Sequence, residues 1–63
     1  MELYDLVELA AGLPEAGLTA GSVGTIVHIF RVPNLAYEVE FADDSGRTIA
    51  TVALTPEQLR PRS

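Results

Sequence analysis

Residues 36–54, AYEVEFADDSGRTIATVAL, constrain this chain more than any other segment. Tyr37, Val39 and Phe41 alternate with Glu38 and Glu40, the period of two that gives a strand one apolar and one acidic face. DDSG, residues 43–46, reads as a hairpin turn. Asp43 can accept hydrogen bonds from its own backbone there, and Gly46 can supply a positive φ. RTIATVAL, residues 47–54, is then the returning strand, because β-branched side chains favour a pleated surface. A chain built around such a hairpin is committed to a sheet.

The remaining segments read consistently with this. VGTIVHIF, residues 23–30, is a β-branched strand, and Pro33-Asn34 turns the chain after it. LYDLVELA, residues 3–10, fits either a helical stripe or a strand face formed by Leu3, Val7 and Leu9 with Asp5 as the exception; strand is chosen because the later segments are themselves strands and turns. AGLPEAGLTAGS, residues 11–22, is a loop by its glycine and proline content, with Leu13 and Leu18 able to pin it to the core. Thr55-Pro56-Glu57-Gln58 has the pattern of a capping box with proline at the first helical position, so it reads as one short helical turn ended by Arg60-Pro61. Four or five short strands with one helical turn near the C-terminus predict a small all-β barrel of SH3-like type, with residues 1–63 forming one domain.

The glycines around AGSVGTIVHIF, residues 20–30, bear on function. A phosphate loop of the Walker type requires a lysine and a following helix, and a dinucleotide loop requires G-x-G-x-x-G. This chain has no lysine, and a strand follows the glycines. Gly21 is therefore read as a turn into the strand, and Gly24 as a bend or a place where a neighbour packs closely.

"GLTAGSVGTIV", "AYEVEFADDSGRT" and "LTPEQLRP" together resemble a family of small bacterial SH3-like proteins of unknown function. The pattern G-x-x-G-T-I-V with a short L-x-P-x-x-L ending is also similar to the SH3-like barrel of nitrile hydratase β subunits. The resemblance spans about residues 3–60 and carries no catalytic residue. It implies an accessory or antitoxin-like protein encoded beside a larger partner.

Charge narrows the function classes. The net charge is −5, and all four basic residues are arginines: Arg31, Arg47, Arg60 and Arg62. Nucleic-acid binding draws on phosphate neutralisation and anionic membranes attract basic segments, so both are disfavoured. No basic n-region and no apolar run of about 20 residues is visible, and the expectation is a soluble, cytoplasmic protein. Without cysteine there is neither a disulfide nor a thiolate metal site. A core this small is marginally stable, so association with a partner or a second copy is expected.

Candidate chemistry is sparse. His28 is the only histidine and has no companion nucleophile, acid or ligand set in sequence, so it reads as structural or solvent-facing. Ser22 and Ser45 lack an activating context. Tyr4, Phe30, Tyr37 and Phe41 read as core or barrel-rim residues. Glu38 and Glu40, about 6.7 Å apart along one strand face, run into Asp43 and Asp44 and form either a solvated face or a docking stripe. No catalytic, cofactor or metal residue is assigned. The expected function is a non-catalytic protein-interaction module whose contacts are Glu38, Glu40, Asp43 and Asp44 with an apolar rim of Phe30, Leu35 and Leu59. The alternatives are a nucleic-acid-binding SH3-like domain and a small-ligand or metal binder.

Overall fold

The computed structural model describes residues 1–62. Five strands form one antiparallel sheet: β1 (Leu6–Leu9), β2 (Val23–Phe30), β3 (Ala36–Ala42), β4 (Thr48–Leu54) and β5 (Leu59–Pro61), with the spatial order β4-β3-β2-β1-β5. Two short 3₁₀ turns, Pro14–Ala16 and Pro56–Gln58, are the only helical elements among the described residues. The protein is all-β, as the alternation in residues 36–54 predicts.

Connectivity bends the sheet. β4 and β5 lie at opposite edges, which in a flat sheet would be four strand spacings, or about 19 Å, apart. Yet Leu54 at the end of β4 is joined to Leu59 at the start of β5 by only Thr55 and the 3₁₀ turn. Such a link spans at most roughly 13 Å. The sheet therefore curls, and both leucines enter one core with Val7, Leu9, Leu18, Ile26, Tyr37, Val39 and Phe41. At the link, the Thr55 N–H (2.9 Å) and hydroxyl (3.2 Å) both donate to Gln58 Oε1.

The core is drawn from the predicted inward face of β3: Val39 and Phe41 are at most 1% exposed and Tyr37 5%. Gly24 on β2 lies opposite Phe41. A Cβ built there would fall 2.6 Å from Val39 Cγ1 and 2.9 Å from both Glu40 O and Phe41 Cδ1. The glycine is required by the close approach of β3, one of the two roles that its place in the sequence leaves open.

The 10–22 loop is pinned as expected. Leu13 and Leu18 exchange backbone hydrogen bonds of 2.8 and 3.1 Å, and Leu18 is buried. The first strand differs. Leu3 is 44% exposed and does not share the face of Val7 and Leu9. The reason is a turn over residues 2–5. The Glu2 N–H donates to Asp5 Oδ2 (2.8 Å), the Asp5 N–H donates to Glu2 O (3.0 Å), and Tyr4 takes a positive φ of 69°. Tyr4 is consequently exposed and lies outside the core.

Candidate functional site

The outward face of β2 and β3 holds Phe30, Glu38 and Glu40 of the predicted contact residues, and a bulge in β2 puts Phe30 there. β2 pairs with β3 as Ile26↔Val39, then His28↔Glu38, Ile29↔Tyr37 and Phe30↔Ala36, so Val27 is an extra residue. Strict alternation from Gly24 and Ile26 would send His28 and Phe30 inward. One inserted residue reverses the parity. Ile29 packs on the core, while His28 and Phe30 face out. The two rings meet edge to face, with centroids 4.6 Å apart. This arrangement spares the imidazole an apolar burial that would need compensating hydrogen bonds.

Glu38 lies directly across from His28, and Glu40 across from Thr25 on one side and Thr51 on the other. Glu40 is exposed and Glu38 is half-buried, where the sequence pattern alone predicts exposure for both. Neither carboxylate has a cationic partner: Arg62 with Glu8, at 3.7 Å, is the one ion pair among the described residues.

Asp43 is exposed but committed to its own turn. The Ser45 hydroxyl (2.7 Å), the Ser45 N–H (2.9 Å) and the Arg47 N–H (2.9 Å) all donate to Asp43 Oδ1. These bonds, the Ser45 hydroxyl foremost and then the Arg47 N–H, hold its carboxyl below the usual aspartate value. Oδ1 is thus a structural acceptor, and Asp44 is the carboxylate at this turn with no such bonds.

Phe30 (39% exposed) and Leu35 (41%) do stand on the surface, at the tip of the β2–β3 hairpin. Leu59 does not. It is 5% exposed, because as the first residue of β5 it is carried into the core by the 3₁₀ turn. Val32, 84% exposed on the same tip, takes its place in the apolar rim. Its position after Phe30 and before Pro33 could have marked it as a tip residue, but hydrophobicity alone draws such a residue inward.

The outward face of β2 and β3 therefore carries Phe30, His28, Glu38 and Glu40, with Val32 and Leu35 exposed at the hairpin tip beyond one end of β3 and Asp44 exposed at the turn beyond the other. Among the described residues there is no pocket and no group of three or more metal-ligating side chains. No helix among them is long and apolar enough to cross a membrane.

Comparison with known families places residues 3–61 in a domain family of unknown function, DUF4926, and the chain belongs to that family. No curated protein matches. No solved structure matches either.

Proposed function

We propose that this DUF4926 domain is a non-catalytic protein-interaction module, an accessory or antitoxin-like partner that docks a basic protein on the outward face of its sheet. The observation that carries this reading is the Glu38–Glu40 stripe, without an ion pair among the described residues, on the same face as Phe30 and beside a hairpin tip where Val32 and Leu35 are exposed. An exposed Glu40 and a half-buried Glu38, neither in an ion pair among the described residues, leave a field that steers a basic partner, and the apolar tip supplies area to desolvate on contact. The strand order, with a 3₁₀ turn leading into a short last strand, supports an SH3-like barrel as the scaffold.

The test is charge reversal. Glu38→Lys/Glu40→Lys/Asp44→Lys is compared with the parent as bait in the native host. The protein recovered by the parent is then measured by surface plasmon resonance at two salt concentrations. The proposal expects slower association for the variant and for the parent in high salt, with the far-UV circular dichroism spectrum unchanged. Equal and salt-insensitive binding refutes it. Retention of nucleic acid in place of a protein replaces it with the nucleic-acid reading.

A further inference from the structure

The sheet has two free edges, and they are built differently. β5 is three residues long and contains Arg60 and Pro61; the Arg60 guanidinium donates to Ala10 O at 3.1 Å, and Arg62, the next residue, pairs with Glu8. Short length, proline and charge are the usual ways of blunting an edge. β4 has none of them. Its seven residues, TIATVAL, contain no charge and no proline, and β3 is its only strand partner among the described residues. Every second residue of β4 therefore directs its backbone N–H and C=O away from the sheet.

We infer that β4 is a self-association edge, pairing antiparallel with β4 of a second copy about a two-fold axis near Thr51. This inference stands apart from the acidic docking face.

The side chains support this occupant over a foreign strand. In that register Ala50 lies beside Val52 of the second copy, and Ile49 beside its Ala53. Ala50 and Val52 are the two half-buried residues that complete the core at this edge, and Ile49, outside the regular pairing at the β3–β4 bulge, is 53% exposed. Pairing would cover all three. A chain of net charge −5 resists self-association wherever its acids meet, but here they do not. The acid nearest the axis is Glu40, one strand back from Thr51. The two Glu40 residues would be three strand spacings apart, roughly 14 Å. That exceeds the Debye length of about 8 Å at physiological ionic strength, so their repulsion is largely screened. Antiparallel β4–β4 pairing is also self-complementary and closes at two copies, whereas β4–β5 pairing would grow an open filament and meets the blunted edge.

The experiment is sedimentation equilibrium of the full chain over a wide concentration range, with hydrogen exchange read at the β4 amides. The inference expects a monomer–dimer equilibrium, and β4 amides whose protection rises with concentration. Thr51→Glu would set four carboxylates in a row across the axis, because Glu40 faces this position within each copy. Dimer dissociation should become easier by about fivefold or more. Mixing Thr51→Glu with Thr51→Lys should restore a mixed dimer. A parent that is monomeric throughout, or a dimer that survives Thr51→Glu with β4 exchange independent of concentration, overturns the inference. The exchange measurement on the parent decides the matter even if the substituted chains fold poorly. Loss of the dimer leaves the Glu38–Glu40 face intact, so the two readings fail separately.

Discussion

Gly24→Ala is the smallest change that tests how tightly this sheet is wound. The new methyl would stand 2.6 Å from Val39 Cγ1 and 2.9 Å from Phe41 Cδ1 and Glu40 O. None of these can yield easily. Val39 is β-branched and fully buried, Phe41 is 1% exposed, and Glu40 O is main chain in the middle strand of the β2–β3–β4 meander. Relief requires β3 to move away from β2. Overpacking of this kind costs about 1–3 kcal/mol. Restricting the unfolded chain by replacing glycine with alanine returns about 0.4–1 kcal/mol. The net loss is about 1–2 kcal/mol, from a total that for 63 residues is about 3–9 kcal/mol. Thermal unfolding followed by far-UV circular dichroism should show a melting temperature lower by about 4–16 °C. Urea melts should show a midpoint lower by about 1–2 M, for a slope of about 1 kcal/mol/M. Gly24→Val should cost more. A double-mutant cycle with Val39→Ala should return a compensating coupling, because the nearest obstructing atom is then gone. An unchanged midpoint for Gly24→Ala would refute the close approach of β3 and, with it, the reason a glycine occupies this position.

Two further outcomes rest on the same geometry. Leu59→Ala should destabilise by about 2–5 kcal/mol while Leu35→Ala changes stability by less than about 0.5 kcal/mol, and urea melts of the pair check that the first is core and the second surface. Asp43 has a folded pKa below its ordinary value of 3.8, so its contribution is present above that value and is lost as the pH falls through the folded pKa. The parent should melt higher than Asp43→Asn at neutral pH, with the gap narrowing below about pH 4; a gap independent of pH would show that the charge on Oδ1 is immaterial to the turn.

The elements themselves were legible in the chain because each rests on short-range chemistry. YEVEF alternates, so its faces are assigned by the pleat; Asp43 and Gly46 close a turn through their own backbone; Thr55 and Gln58 meet within one helical turn. The core face of β3 could be read for the same reason, whereas for Gly24 the sequence leaves a bend or a close neighbour open and the contact with β3 decides for the neighbour. What the sequence left open lies where one strand's partner decides another strand's parity. His28 and Phe30 face solvent only because Val27 is bulged out of the β2–β3 ladder, and the period within VGTIVHIF contains no sign of that extra residue. Leu3 parts from Val7 and Leu9 because the 2–5 turn, anchored by the Tyr4 N–H on Ile26 O at 2.7 Å, redirects the chain. Leu59 reads as a rim residue until the short link from Leu54 pulls both leucines into one core. Which edge remained free was equally a tertiary outcome, since β4 and β5 became edges only when β5 paired with β1. Hydrophobic periodicity determines that a strand has an inside. The curl, the bulges and the strand order, set by contacts between residues far apart in the chain, determined which residues were left on the outside to meet another molecule.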